Sequence, residues 1–238
     1  MSIETVAIGC FFITIHLLAN HLIPTDRIKK LRWLSLSGGF AVGYVFIYIL
    51  PSLHREQKKL DQEHTSLFTM ESELYFIGLL GLVVFFGVQK IVSNNDTSDH
   101  NGHFWLHTIF FMIYNMLIAY TVIASNVQGI QAFFYAAAIG MHFIAVAHDL
   151  WRENPEKYTK VGRFVIASGI FIGWLIGVVF QLSSFFQSII FAFISGAMIL
   201  NVLKNELPND KDAHFPTFTI AIIFYTVVTL SLKYFFEW

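Results

Sequence analysis

The sequence predicts an all-α polytopic membrane protein of eight transmembrane helices, and three observations predict it. Of the 238 residues, 55% are hydrophobic and only 13% charged, with a mean hydropathy of +0.60. A soluble domain of this size must turn far more polar residues to water. Eight apolar stretches approach the roughly 20 residues that a spanning helix needs. These stretches are apolar on every side, whereas strands of an outer-membrane barrel alternate polar and apolar positions.

The expected spans are residues 3–22, 33–50, 74–92, 104–123, 130–150, 164–182, 185–203 and 215–232. The first begins at Met1-Ser2-Ile3-Glu4, without the basic region of a cleaved signal, so it is expected to stay as a helix. Spans 6 and 7 are nearly continuous, interrupted by Gln181, Ser183, Ser184 and Gln187, and read as a tight hairpin at the bilayer surface. Polar connectors with turn chemistry separate the others: Pro24-Thr25-Asp26, Ser93-Asn94-Asn95-Asp96, Asn154-Pro155 and Pro208-Asn209-Asp210. All eight belong to one transmembrane domain covering residues 1–238.

A repeat runs through the chain. Leu50-Pro51 recurs as Leu207-Pro208, and twelve residues before each proline stands a glycine in a small-residue patch, Gly39 in the first case and Gly196 in the second. Matched small patches and proline exits in two halves are a mark of internally duplicated carriers. The expectation is an inverted 3+2+3 arrangement relating spans 1–3 to spans 6–8, with spans 2 and 7 packed closely through their small residues.

With eight spans, Lys and Arg divide eleven to four between the two faces, the richer one holding connectors 1–2, 3–4, 5–6 and 7–8. The positive-inside bias then places that face in the cytoplasm and both termini outside, in a plasma or inner membrane. The net charge of −1 and pI near 6.8 offer nothing to a polyanion, so nucleic acid is not an expected partner. Cys10 is the single cysteine, which excludes an intramolecular disulfide and a Cys-based metal cluster.

Polar groups at bilayer depth cost a few kcal/mol or more and need a partner or a purpose. The inventory is His16, Asn20, His21, Tyr44, Tyr48, Tyr114, Asn115, His142, His148, Asp149, Asn201, Asn205 and Glu206. Most lie near span ends; Asn115 and His142 are near-central. Each has two readings: a hydrogen bond to a neighbouring helix, or a place in a transport site between spans 4 and 5. His142 and Asp149, two helical turns apart on one face, outline a path toward the basic side, with Tyr114, Tyr48 and His148 along it. The alternative for His148-Asp149 is an interfacial pair beside Arg152. After span 3, His100, His103 and His107 share a polar segment with Asp96 and Asp99, which suits weak capture of a divalent metal by a loop.

Eight spans, outward termini, a His-bearing loop after span 3, and Gly…Leu-Pro segments closing spans 2 and 7 together resemble the ZIP (Zrt/Irt-like) family of divalent-metal transporters. The resemblance covers most of the chain. It implies a metal site on spans 4 and 5, where the family carries His-Asn-x-x-Asp/Glu-Gly and His-Glu-x-Pro-Glu. Here span 4 reads Tyr114-Asn115-Met116-Leu117-Ile118-Ala119 and span 5 reads His142-Phe143-Ile144-Ala145-Val146. Asn115 and His142 match; the remaining motif residues are replaced, and Tyr48 stands where members often carry His. The chain is thus a divergent relative in expectation. Its metal ligands are His142, Asn115 and Asp149, and its cargo is a zinc- or iron-class divalent cation, weakly held, or another small solute.

The alternative is a ZIP-like membrane protein that has lost metal transport and acts as a binding or regulatory partner. The lipid bilayer, a divalent ion and a second copy of the chain are the candidate partners. No enzyme is expected: Ser183 and Ser184 lack an adjacent base, and Lys90, Lys204 and Lys233 lie at span ends, not deep in a last helix as a retinal protein requires.

Overall fold

In the computed structural model, residues 3–22, 26–62, 72–93, 100–125, 129–207 and 213–236 are described. They are almost wholly helical, with no strand among them. The order is α1 (Ile3–Leu22), α2 (Arg27–Tyr44), a π-wound segment (Val45–Ile49), α3 (Leu50–Gln62), α4 (Glu73–Val92), α5 (His100–Ala124) and α6 (Gly129–Glu153). Then come α7 (Pro155–Lys157), a second π segment (Tyr158–Gly162), α8 (Arg163–Val179), α9 (Ser184–Asn201), a third π segment (Val202–Glu206) and α10 (Phe215–Phe236).

Among the described residues, seven helices are long and apolar enough to cross a membrane: Ile28–Gln62, Glu73–Val92, Gly102–Ala124, Ala132–Glu153, Pro155–Val179, Ser184–Glu206 and Phe215–Phe235. Residues Ile3–Ala19 of α1 form a shorter apolar helix. The molecule is built inside out relative to a soluble domain. Phe76, Leu80, Val83 and Val84 of α4 point outward, while His16, Asn115, His142, Asn201 and Glu206 are buried. That is the arrangement hydrocarbon surroundings demand.

Helix ends follow local chemistry. Asp26 caps α2 by accepting from Lys29 N at 2.9 Å, and Asn154 caps α7 by accepting from Lys157 N at 3.0 Å. At Asn154-Pro155 the break between helices is therefore the single residue Asn154. Phe180–Ser183 joins α8 to α9 as the expected short hairpin.

Two expectations are corrected here. Leu50-Pro51 does not end its span: the helix runs on to Gln62. Proline removes the N–H that would serve a carbonyl one turn back, and Lys233 Nζ from α10 donates to that carbonyl, Ile47 O, at 2.9 Å. The π winding ahead of the proline carries the rest of the adjustment. The segment 94–107 is also not one loop, because α5 begins at His100; Asp96 and Asp99 lie outside the described residues.

Packing divides the helices into two sets. α1 packs on α6 and α8, and α5 on α8; α4 packs on α9, and α2 on α10. Spans 2 and 7 do use their small residues for close approach, but against α10 and α4 respectively, not chiefly against each other. A Cβ on Gly39 would stand 2.6 Å from Phe218 O and 2.7 Å from Ala221 Cβ, and one on Gly196 would land on the Gly78 carbonyl. Only glycine allows the backbones that near. The sets meet where α2 and the third π segment face α6, and where α9 faces α5.

Candidate functional site

The seam between the two sets holds a buried polar chain. His142 of α6 bonds through Nδ1 to Glu206 Oε1 at 2.5 Å and through Nε2 to Tyr114 Oη of α5 at 3.2 Å. Both side chains of the His142–Glu206 pair are 1% exposed. Asn201 Nδ2 donates to the same Glu206 oxygen at 2.9 Å, and Asn205 Nδ2 donates to Asn201 Oδ1 at 2.7 Å. The carboxylate accepts, so Nδ1 donates to it and Nε2 accepts from the Tyr114 hydroxyl. A second pair lies alongside: Asn115 Nδ2 donates to His16 Nε2 at 3.1 Å, with the His16 ring 5.0 Å from Phe143.

The third π segment builds this site. On an α-helix, residues five apart point about 140° away from each other. Where backbone bonds run from i to i+5, as Leu207 N to Val202 O does at 3.1 Å, residues five apart share a face. Asn201 and Glu206 therefore meet. π segments recur at functional sites for such reasons.

A cavity of about 360 Å³ reaches Glu206 from the side of Arg152, with Ser37, His148, Asp149 and Asn205 also on its wall. Three buried polar atoms there have no hydrogen-bond partner among the described residues: Ser37 Oγ, His148 Nε2 and Glu206 Oε2. An unpaired buried polar atom costs about 1–3 kcal/mol, so each of the three calls for a partner that the described residues do not supply. A second cavity of about 500 Å³ shares Asp149, Arg152 and Asn205 with it and adds His107, Glu153 and Lys204. Together they form a vestibule leading to Glu206.

His142 and Tyr114 are hydrogen-bonded to each other. Asn115 does not bond to His142; its amide serves His16. Asp149 lines the vestibule with Glu206 and is not bonded to His142. His148 stacks on Trp151, rings 5.8 Å apart and 19° from parallel, while also facing the vestibule. Tyr48 stacks on Tyr44 at 5.2 Å and 10° and lines a different cavity.

His100, His103 and His107 stand on α5, not on a loop ahead of it. The side chain of His100 is outside the described set, while His107 Nδ1 bonds Glu153 Oε2 at 2.6 Å and ties the start of α5 to the end of α6. Among the described residues, no group of three or more His, Cys, Asp or Glu converges as a metal site.

Sequence reasoning passed over Glu206, Asn201 and His16 as span-end or unassigned polar residues. The available signal was Asn201, Asn205 and Glu206 standing directly before the repeated Leu-Pro. On an ideal α-helix Asn201 and Asn205 share a face while Glu206, five residues from Asn201, points away from it.

No curated protein matches this chain. A family described as "Protein of unknown function (DUF3270)" matches residues 89–151. That stretch runs from the end of α4 through α5 and most of α6, and so contains Tyr114, Asn115, His142, His148 and Asp149 but not Glu206.

Proposed function

We propose that this chain is an integral membrane carrier resembling the ZIP family, built as an inverted repeat of eight spans. It moves a small cation of the zinc or iron class along the seam where His142 meets Glu206. The observation that carries the reading is that buried imidazole–carboxylate pair at the end of an open vestibule. Span 5 matches the family only at its His, and the carboxylate absent from the motif comes from span 7. Glu206 supplies the fixed negative charge that a dehydrated divalent ion needs, with Asn201, Asn205 and Tyr114 as neutral oxygen donors beside it.

The repeat is supported by packing. Exchanging α1 with α8, α2–α3 with α9, α4 with α10 and α5 with α6 carries the α5–α8 contact into α6–α1, and α4–α9 into α10–α2. It carries Gly39 against α10 into Gly196 against α4. The segments Val45–Ile49 and Val202–Glu206 stand at the same register, each followed by Leu-Pro.

The test is uptake of Zn²⁺, Fe²⁺ and Mn²⁺ into liposomes containing the purified protein. Uptake of at least one ion is expected, and Glu206→Gln and His142→Phe should each reduce it to the level of empty vesicles. Uptake unaffected by both substitutions sinks this site.

A second reading, a ZIP-like protein that does not carry metal, is favoured by a specific observation. Both His142 ring nitrogens are already bonded, and no larger set of ligating side chains converges among the described residues. Absence of uptake for all three ions, with Glu206→Gln still folded, selects that reading.

The proposed orientation places the α7 region in the cytoplasm and the end of α3 outside. With Cys10→Ser as background, a cysteine replacing exposed Lys58 should react with a membrane-impermeant thiol reagent in intact cells. One replacing exposed Lys160 should react only after permeabilisation; the opposite pattern inverts the topology.

A further inference from the structure

A further cavity lies away from the His142–Glu206 pair, at about 570 Å³ between α3, the end of α5 and the start of α9. This is the size of a small-molecule site, of order 300–1,000 Å³. A lone divalent ion, with ligands about 2–2.6 Å away, has no use for that volume.

The chemistry of its wall is also wrong for a cation. Arg55 and Lys59 both line it, against the single acid Glu56. Both Glu56 oxygens are engaged, one by Lys59 Nζ at 2.7 Å and one by Ser188 Oγ at 2.8 Å. Arg55 donates from Nη2 to Ser52 Oγ at 2.7 Å and has no carboxylate partner among the described residues. Its guanidinium therefore presents unused donors in a planar fork to the cavity, the geometry that grips a carboxylate or phosphate with two bonds.

Elsewhere on the wall the polarity is opposite. Thr121 Oγ1 spends its proton on Leu117 O at 2.9 Å, Ser125 Oγ on Val122 O at 2.9 Å, and Ser188 Oγ on Glu56. A hydroxyl that has donated its proton retains lone pairs, so these three line the cavity as acceptors. One cationic fork and a set of acceptors complement a molecule with an oxyanion at one end and an O–H or N–H donor at the other.

The geometry points to a binding site in this cavity for a small hydroxy- or amino-carboxylate, with Arg55 holding the oxyanion and Thr121, Ser125 and Ser188 accepting from the donor group. The site is independent of the His142–Glu206 reading and stands whether or not the chain carries metal. An oxyanion could also arrive as a lipid headgroup phosphate, and the test separates the two sources.

Thermal unfolding of the detergent-purified protein is followed while titrating glycine, L-lactate, acetate, methylammonium and short-chain phosphatidylglycerol. Glycine or L-lactate should raise the melting temperature, acetate should do so more weakly, and methylammonium should not. Arg55→Lys, which keeps the charge and loses the fork, should weaken the effective ligand by about tenfold or more. Ser125→Ala should weaken glycine or lactate but leave acetate unchanged. Glu206→Gln should leave all of these responses intact, so failure of the transport reading and failure of this one are distinguishable. The proposal is overturned by no response to any carboxylate at millimolar concentration, by a response unchanged in Arg55→Lys, or by a response to phosphatidylglycerol alone.

Discussion

Gly196→Ala is expected to be among the most destabilising single-methyl additions in this protein, lowering the yield of folded material and the melting temperature together. The added Cβ would coincide with the carbonyl of Gly78, and Gly81 on the same α4 face already lies against the backbone of Phe193. A side chain in the way could rotate; here the obstacle on each side is helix backbone. Relief requires α4 and α9 to separate along their whole contact, releasing the packing around them. Overpacking typically costs about 1–3 kcal/mol and more where nothing can yield; the upper end or beyond is expected. Gly87→Ala is the control, because a Cβ there meets nothing within 4 Å and alanine favours the helix by up to about 1 kcal/mol. Tryptophan-fluorescence melting in detergent compares the two. Equal melting temperatures for Gly196→Ala and the parent protein would show that α4 and α9 are not in backbone contact.

The second large effect is a coupling. Glu206→Leu leaves His142 Nδ1 buried without its acceptor, and His142→Leu leaves the buried Glu206 carboxylate with only Asn201 bonded to it. Removing one partner of a buried pair costs about 3–5 kcal/mol, whereas replacing both with apolar groups costs far less. His142→Leu/Glu206→Leu should therefore be more stable than the sum of the single losses by about 0.5–3 kcal/mol, the range for groups in direct contact. Denaturant unfolding in mixed micelles gives all four corners of the cycle. Additive losses would mean that the two groups do not depend on each other, and the seam would lose its claim to be a site. The double variant also separates roles: it should recover fold while remaining unable to take up metal.

Much of the architecture was legible because a bilayer imposes a one-dimensional rule. An apolar stretch of about 20 residues is readable without knowing its neighbours, and the expected stretches fall on helices, seven of which among the described residues are long and apolar enough to cross a membrane. Gly39 and Gly196 were legible as points of close approach, since a small residue in an apolar run has few other uses. Which helix each one meets was not, because that depends on how the sets fold together: α10 for Gly39 and α4 for Gly196. Pro51 read as an exit for want of any sign that Lys233, far along the chain, would serve the carbonyl it strands.

The site divides in the same way. Residue chemistry alone singled out Asn115 and His142, because a polar or ionisable group inside an apolar run is costly wherever the run packs. Partner choice is a property of the assembled helices. Asn115 turns to His16, ninety-nine positions away, and His142 turns to Glu206, sixty-four away. Glu206 became central only through the π winding of Val202–Glu206, which rotates it onto the face of Asn201. Hydropathy is additive along the chain, so composition and order determined that these helices belong in a membrane. Helix winding and the pairing of buried polar groups are cooperative among distant segments, and those the tertiary structure alone decided.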